Sequence, residues 1–273
     1  LRELLPDEAI GSAERIRVLE NTRFHPGETT NDPDFARELA DGHDMYVNDA
    51  FGSAHRAHAS TVGVAELLPA YAGLLLEREL AELGRLLGDV ERPFVAIVGG
   101  VKVEDKIGVL RSLAERADTM LIGGKMAEQL RESNPLGVDV ELPSDVVAAR
   151  EFDANAEIMV VSHDEVPEGW LALDIGPVTR ELYADRIEDA RTVFWNGPMG
   201  VFEWPRFSEG TQAVAEAVAE SEAWSVVGGG DSARALELLR LADRISWVST
   251  GGGASLELLE GKELPGVTAI PEA

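Results

Sequence analysis

The feature that most constrains the fold is a repeated pattern in which a short apolar run ends in a glycine turn and a helical stretch follows. From Pro93 onward this pattern occurs in FVAIVGG, TMLIGG, TVFWNGPMG, SVVGGG and ISWVSTGGG. Apolar strands that alternate with helices are typical of a parallel sheet covered on both faces. In such sheets ligands bind outside the carboxyl ends of the strands, and all of these glycine clusters fall there.

The N-terminal part of the chain shows a different pattern, with polar loops between short elements. RIRVLEN and DMYVND are predicted strands, and DPDFARELADG is a predicted short helix. Two strands are too few to bury a sheet on their own. Farther along, AGLLLERELAELGRLLGD carries apolar residues at helical spacing and predicts a long connecting helix.

The charge balance argues against some classes of partner. Fifty acidic against twenty-four basic side chains give a net charge of -26, so neither nucleic acid nor an anionic membrane is expected as the main partner. A GC-rich genome would explain arginine and alanine in place of lysine but not the excess of acid, so a halophilic origin is favoured. The chain has no cysteine and no apolar run of membrane-spanning length, and we expect a cytoplasmic protein without disulfides.

The glycine turns are candidate anion sites, because unpaired N–H groups and the helix dipole meet where a strand leads into a helix. The alternative is that they are only tight turns. Neither a GxxxxGK[ST] motif nor a GxGxxG fingerprint is present, so P-loop and dinucleotide-binding interpretations lack motif support. Lysine is rare in this chain, yet Lys102 and Lys106 follow Gly99-Gly100. Their spacing predicts that both ammonium groups lie on one face of a helix, beside a bound phosphate. The alternative is that this helix face is only exposed to solvent.

Two further segments of the C-terminal half carry candidate ligand-binding side chains. In GGGDSA, Asp231 is either a helix N-cap or a Mg²⁺ ligand, and Ser232 either caps the helix or binds a phosphate oxygen. In WNGPMGVFE, Pro198 fixes a turn, and Glu203 either belongs to that turn or accepts hydrogen bonds from ribose hydroxyls. Spacing alone leaves these alternatives open.

Arginine and histidine cluster in the polar loops of the N-terminal part. NDAFGSAHRAHAST contains His55, Arg56 and His58, and ENTRFHPGE contains Arg23. Guanidinium groups suit carboxylates and phosphates, whereas lone arginines are often surface groups and such a histidine pair is often structural. Two arginines in separate loops after predicted strands, each with a histidine nearby, favour a patch for an anionic substrate.

Six motifs together resemble the signatures of phosphoglycerate kinases, in that family's order and over nearly all of the chain: ENTRFHPGE, YVNDAFGSAHRAHAST, GGVKVEDK, WNGPMGVFE, VVGGGDSA and STGGGASLELLEGKELPGV. The resemblance implies an α/β fold of two Rossmann-like parallel-sheet domains joined by a long helix, the N-terminal one incomplete in this chain. It implies a partial triose-binding domain at 1–71, an interdomain helix at 72–88, a nucleotide-binding domain at 89–255, and a segment at 256–273 that returns toward the N-terminal domain. The implied enzyme is a monomer that transfers a phosphoryl group reversibly between 1,3-bisphosphoglycerate and MgADP, giving 3-phosphoglycerate and MgATP, in glycolysis and gluconeogenesis.

The resemblance also implies roles for individual residues. Lys106 matches the lysine that stabilises the transferring phosphoryl group, Lys102 a nucleotide-phosphate ligand, and Asp231 the acid linked to Mg²⁺. Arg23, His55 and Arg56 match the triose side, and Gly252 with Gly253 match a helix start that faces the transferred group. Nucleotide contacts match at Gly99, Gly100, Gly123, Gly124, Asn196, Pro198, Gly200, Val201, Glu203, Gly229, Gly230 and Ser232.

Departures from the family's pattern bear on activity. The segment that normally precedes ENTRFH, with an Asp–Asn strand and an HxGRP-type loop, is not found, and the stretch between GGKMA and LPSDVV is short. Lys125 stands where the family often has glycine or alanine. We therefore weigh three hypotheses: an active kinase whose sequence here lacks segments, a truncated and non-catalytic nucleotide-binding fragment, and an NAD-linked dehydrogenase, for which the fingerprint is absent.

Overall fold

The computed structural model describes residues 17–271. The strands in this range are β1 (Tyr46–Asn48), β2 (Ala70–Ala72), β3 (Phe94–Val98), β4 (Thr119–Ile122), β5 (Asp145–Ala149), β6 (Ile158–Ser162), β7 (Leu171–Ile175), β8 (Thr192–Asn196), β9 (Trp224–Gly228) and β10 (Trp247–Val248). The α-helices are α1 (Pro33–Ala40), α2 (Leu74–Arg85), α3 (Ile107–Ala114), α4 (Lys125–Glu132), α5 (Pro177–Glu188), α6 (Glu209–Glu220), α7 (Gly230–Leu239), α8 (Gly253–Leu259) and α9 (Pro265–Thr268). None of the helices in this range is long and apolar enough to cross a membrane.

A five-stranded parallel sheet with strand order β10-β9-β8-β3-β4 forms the centre of the molecule. β3 and β8 are buried along their whole length, in agreement with the continuous apolar sequence of β3 and the apolar centre of β8. Successive side chains of a strand point to opposite faces. In β3, Phe94, Ala96 and Val98 therefore join one apolar core, and Val95 and Ile97 join the other. Helices α3 and α4 contribute to the first core and α5 and α6 to the second, so both faces are covered as predicted.

The segment between α4 and α5 forms a second sheet that the sequence analysis did not predict. β5, β6 and β7 are antiparallel, in the order β6-β5-β7. β6 alternates between exposed and half-buried residues, which is the pattern of a strand with one solvated face. No glycine turn marks its end, so the signal that identified the strands of the central sheet is absent here.

The N-terminal part contains a parallel pair of strands, β1 and β2, and the predicted helix α1. The N-cap of α1 is Asp32, whose carboxylate accepts hydrogen bonds from backbone N–H groups of the first turn. The predicted strand RIRVLEN is wrong for its described residues, because 17–21 contain no strand, and its first two residues lie outside the described range. Val18 and Leu19 are exposed there. An extended segment without a neighbouring strand has no partners for its backbone groups.

Helix α2 connects the two parts of the chain and is tied to the C-terminal part by a buried carboxylate. Glu79 is fully buried and accepts hydrogen bonds from Trp247 Nε1 at 3.0 Å and Thr250 N at 2.7 Å. Near the end of the chain, Gly266 O accepts a hydrogen bond from Asn48 Nδ2 at 3.0 Å. The final segment thus contacts the N-terminal part, while the predicted domain limits stay a prediction.

Candidate functional site

Three strands of the central sheet end side by side, and their glycine turns meet at the candidate site. Gly99 follows β3, Gly197 follows β8, and Gly229 follows β9, and these strands are neighbours in the order β9-β8-β3. A Cβ added to Gly99 would lie 1.9 Å from Pro198 O, so only glycine allows the first two turns to approach so closely. Backbone groups therefore reach the site without side chains between them.

Lys106 lies among these turns. Its ammonium donates hydrogen bonds to Gly99 O at 2.7 Å and to Asn196 Oδ1 at 2.6 Å. Burial lowers the pKa of Lys106 from 10.5 to about 8, and the negative charge of Asp231 opposes that shift. A positive charge is thus held where water screens it poorly, and there it interacts strongly with a bound anion.

Buried polar side chains support the turn that follows β8. Ser232 Oγ accepts a hydrogen bond from Gly197 N at 2.7 Å, and Ser232 is fully buried. Asn196 Nδ2 is buried without a partner among the described residues, and a Cβ added to Gly229 would lie 2.9 Å from it. A buried donor left over in this way is available to an acceptor on a ligand.

A cavity of about 730 Å³ opens beside these turns, within the size range of small-molecule sites. Predicted nucleotide contacts that line it are Gly100, Gly124, Pro198, Gly200, Val201, Glu203 and Asp231. The structure thus brings together residues from four separate segments of the chain. Predicted contacts that do not line the cavity but adjoin the lining are Gly99, Gly123, Asn196, Gly229, Gly230 and Ser232.

The cavity has a polar end and an apolar end. At the polar end, a Cβ added to Gly100 would lie 3.5 Å from Lys106 Nζ. The apolar end is lined by Leu173 of β7 and by the rings of Phe152 and Trp204, whose centroids are 4.6 Å apart. Apolar and aromatic walls of this kind suit a planar base.

Sequence reasoning missed the apolar end of the cavity. Phe152 lies between β5 and β6, and Leu173 belongs to β7, so both depend on the antiparallel sheet that was not predicted. Trp204 had a usable signal, because a large aromatic residue directly follows Glu203 in a glycine-rich loop.

Asp231 lies in the first turn of α7 and lines the cavity. Gly229 is the N-cap of this helix, so the alternative of Asp231 as N-cap is wrong. The described residues contain no group of three or more side chains that could hold a metal by themselves. A single exposed carboxylate near Lys106 fits Mg²⁺, because kinase sites hold this ion by one or two carboxylates together with substrate phosphates.

Lys102 and Lys106 do not share a helix face, and that prediction was wrong. Helix α3 begins at Ile107, and Lys102 is exposed in an irregular stretch before it. Gly100 has a φ of 138°, a conformation that keeps the chain out of a helix directly after β3. Lys106 instead reaches the site from a 3₁₀ turn at Glu104–Lys106.

Arg23, His55 and Arg56 form a second group, in the N-terminal part. Arg56 Nε donates a hydrogen bond to His55 Nε2 at 3.2 Å. Burial lowers the pKa of His55, the charge of Glu257 opposes this, and Arg56 and Arg23 add to the lowering. A Cβ added to Gly253 would lie 3.3 Å from His55 Nε2, so the start of α8 adjoins this group. The structure therefore places Arg56 in contact with His55 and brings Arg23 near enough for its charge to act on the same imidazole.

The fold and the cavity define a class of protein: an α/β phosphotransferase with phosphate-binding turns, a lysine and an acid at the carboxyl ends of parallel strands. The profile of the phosphoglycerate kinase family matches residues 7–134 and 127–262. The chain belongs to the phosphoglycerate kinase family.

Individual relatives agree with this assignment. The phosphoglycerate kinase of Moorella thermoacetica is 54% identical over 282 residues, which cover 94% of this chain and 72% of that protein. The one of Rubrobacter xylanophilus is 55% identical over 279 residues, covering 94% and 71%. Among solved structures, the phosphoglycerate kinase of Coxiella burnetii matches with a TM-score of 0.80 at 41% identity, and that of Pyrococcus horikoshii with 0.79 at 32%. Each match covers 92% of this chain and 71% of the other.

Family membership confirms the predicted function. The reaction is reversible phosphoryl transfer between 1,3-bisphosphoglycerate and ADP, giving 3-phosphoglycerate and ATP, a step of glycolysis that uses Mg²⁺. The chain spans about 72% of the length of its Moorella relative. The hypothesis of an NAD-linked dehydrogenase is wrong.

Proposed function

We propose that this chain performs the transfer with Lys106 beside the transferring phosphoryl group. The main support is the Lys106 ammonium, which Gly99 O and Asn196 Oδ1 hold at the polar end of the cavity. A carboxylate oxygen of 3-phosphoglycerate attacks the γ-phosphorus of ATP, and the bond from that phosphorus to the bridging oxygen of ADP breaks. Negative charge spreads over the oxygens of the moving group in a loose transition state. A positive charge fixed beforehand stabilises that state without reorganisation.

The nucleotide lies along the cavity in this proposal, with its base at the apolar end and its phosphates at the polar end. Leu173 and Trp204 contact the base, and the exposed carboxylate of Glu203 accepts hydrogen bonds from the ribose. Lys102 is exposed near the polar end of the cavity, and we assign it a contribution to binding the nucleotide phosphates. The remaining proposed nucleotide contacts are Gly99, Gly100, Gly123, Gly124, Asn196, Pro198, Gly200, Val201, Gly229, Gly230 and Ser232.

Asp231 is the proposed protein ligand of Mg²⁺. When bound, the ion neutralises charge on the β- and γ-phosphates. Asp231 also acts on Lys106, since its negative charge opposes the lowering of the lysine's pKa. One carboxylate thereby favours the protonated lysine that the transfer needs.

The triose substrate is proposed to bind at Arg23, His55 and Arg56. Guanidinium groups donate several hydrogen bonds in a fixed geometry, which suits the phosphate and carboxylate of 3-phosphoglycerate. Gly252 and Gly253, at the start of α8 beside His55, are proposed to face the transferred group.

The proposed setting is the cytoplasm, where the glycolytic reaction has its substrates, with the kinase acting as a monomer. The net charge of -26 argues against nucleic acid or anionic membrane partners, and small anionic substrates must therefore be bound by local positive groups. A solution mass of one chain by light scattering is expected, and a stable dimer would contradict this part of the proposal.

A pair of lysine variants tests the catalytic assignment. Lys106→Ala is expected to lower kcat by about 100- to 1,000-fold, as for removal of one transition-state donor. Lys262→Ala is the matched control, because Lys262 is exposed and pairs with Glu260 away from the cavity. The assay couples formation of 1,3-bisphosphoglycerate from ATP and 3-phosphoglycerate to NADH oxidation in high KCl.

A Lys106→Ala variant with kcat within a few-fold of the control would contradict the role of Lys106. Calorimetry with MgADP runs in parallel. Nucleotide binding by the unmodified chain without any turnover would favour the truncated, non-catalytic fragment instead.

A further inference from the structure

Lysine is distributed unevenly in this chain. Among twenty-four basic residues only four are lysines, at positions 102, 106, 125 and 262. Two of them belong to the proposed nucleotide site and one is the exposed surface residue used as a control. The fourth, Lys125, lines the same cavity of about 730 Å³, and neither the mechanism nor the matched motifs give it a role.

The backbone places Lys125 next to the polar end of the cavity. It follows Gly124, where an added Cβ would lie 2.6 Å from Gly100 O. The next residue, Met126, donates its backbone N–H to the same Gly100 O at 3.1 Å. The backbone on both sides of Lys125 therefore lies close to Gly100, the residue that adjoins Lys106.

The helix that begins at Lys125 extends toward the apolar end of the cavity. One helical turn farther, Glu128 lines the cavity and shares a smaller adjoining cavity with Ala172 and Leu173 of β7. The start of α4 thus runs from the phosphate turns toward the base wall. With the nucleotide placed as proposed, a ligand group near Lys125 lies between the base and the transferring phosphoryl group, at the α- and β-phosphates.

The proposed phosphate ligands Lys102 and Lys106 are not among the residues that line the cavity. Among the described lining residues Lys125 is the one basic side chain, whereas Glu128, Glu203 and Asp231 are acidic. A nucleotide diphosphate or triphosphate brings further negative charge into this space. An ammonium at this position offsets the repulsion directly.

A purely structural role does not account for a lysine at this position. Lys125 is the first residue of α4 and is exposed. A positive charge in the first turn of a helix is opposed by the helix dipole, so the residue does not stabilise its own helix. An anion in the cavity would turn this unfavourable placement into a favourable one.

We propose that Lys125 is a nucleotide-binding residue of this chain that contacts the α- and β-phosphates of ADP and ATP. The inference rests on the proposed placement of the nucleotide in the cavity. Because ADP and ATP both carry these phosphates, Lys125 strengthens the binding of both and acts on the bound ground state as much as on the transition state.

The test measures adenosine, ADP and ATP binding by calorimetry at fixed ionic strength, for the unmodified chain and for Lys125→Ala, Lys125→Arg and Lys262→Ala. Alanine at the exposed start of α4 is compatible with the helix. Loss of one charge-assisted hydrogen bond is expected to weaken ADP and ATP binding about tenfold each. Adenosine affinity is expected to stay unchanged, arginine is expected to restore most of the loss, and Lys262→Ala is expected to bind like the unmodified chain.

The KM for ATP and the salt dependence of ADP binding would not change if the role of Lys125 were purely structural. The KM for ATP of Lys125→Ala is expected to rise about as much as its dissociation constant, with the loss falling on KM rather than on kcat. The slope of log Kd for ADP against log salt is expected to be shallower than in the unmodified chain. Equal ADP affinity in Lys125→Ala and Lys262→Ala, or an equal loss for adenosine, would overturn the inference. Failure of the unmodified chain to bind ADP would instead overturn the proposed nucleotide site.

Discussion

Raising the pH from about 7 to about 9 is expected to discharge Lys106 and thereby to slow the phosphoryl transfer. Burial lowers the pKa of Lys106 from 10.5 to about 8, because few water molecules solvate its ammonium. From that value, about nine-tenths of the Lys106 side chains carry a charge at pH 7 and about one-tenth at pH 9. Because kcat/KM reports the protonation state of the free enzyme, it is expected to fall about tenfold over this interval.

The same pKa has a consequence for stability with a definite sign. Between about pH 8 and 10.5 the unfolded chain still holds a proton at Lys106 that the folded chain has released, so this lysine makes stability rise with pH in that window. Below about pH 8 Lys106 is charged in the folded chain, and the full cost of burying that charge lowers the free energy of unfolding. A shift of about 2.5 units corresponds to roughly 3 kcal/mol, at about 1.4 kcal/mol for each unit. From about pH 8 to 10.5, the free energy of unfolding of the unmodified chain is expected to rise by up to that amount relative to that of Lys106→Met.

The small number of lysines makes the pKa directly measurable. Lysine labelled with ¹³C in its side chain gives one ε-carbon signal for each of the four positions, and Lys106→Ala identifies the relevant one. Steady-state assays of the unmodified chain and of Lys106→Arg are run over the same pH range. Arginine stays charged throughout, so its lower activity is expected to show no alkaline decline near pH 8.

Two results would refute this reasoning. One is a Lys106 signal that does not titrate below about pH 9.5, because burial would then not be the dominant influence on its pKa. The other is an equal alkaline decline in the unmodified chain and in Lys106→Arg, because the decline would then belong to a different group.

Three further outcomes are expected from other parts of the molecule. Glu79→Ala leaves the donors of Trp247 and Thr250 without their buried acceptor and is expected to cost about 3 kcal/mol in urea unfolding; a loss below about 1 kcal/mol would contradict it. Burial raises the pKa of Asp174 to about 7, so this carboxyl makes the stability fall as the pH rises between about 4 and 7. From pH 5 to 8, the free energy of unfolding of Asp174→Asn is therefore expected to increase by about 3 kcal/mol relative to that of the unmodified chain. Parallel plots of unfolding free energy against pH for the two proteins would refute this. With a net charge of -26, the melting temperature is expected to rise from low to molar KCl, and a constant value would exclude a salt-dependent fold.

The central sheet could be predicted because most of its strands are apolar and buried, and a glycine turn follows each of them within a few residues. β3 and β9 can therefore be recognised in the sequence as apolar runs with clear ends, and the helices that follow them have apolar residues at regular spacing. β6 has neither property, since it is half-solvated and ends at polar residues. The strand predicted at 15–21 is wrong in its described part, 17–21, for another reason: an extended sequence becomes a strand only where a neighbour accepts its hydrogen bonds.

For the candidate site, sequence identified the polar residues better than their arrangement. The glycine turns, Asn196 and Asp231 were found because they follow predicted strands. The contact between Lys106 and Asn196 joins positions 90 residues apart, and no local pattern shows it. His58 is buried next to Glu28, which agrees with the structural alternative given for this member of the histidine pair.

In molar salt, screening and burial together would allow a strongly acidic chain to bind a nucleotide with lysines at or beside one cavity. In about 1 M salt the Debye length is roughly 3 Å, so surface charges neither repel nor steer a nucleotide over longer distances. Attraction then depends on charges that touch the phosphates or are shielded from solvent. Lys106 is shielded by burial, and Lys125 lies within contact range of the cavity. An acidic surface and a cationic phosphate site are therefore compatible at high salt, because only the lysines of the site attract the bound ligand strongly.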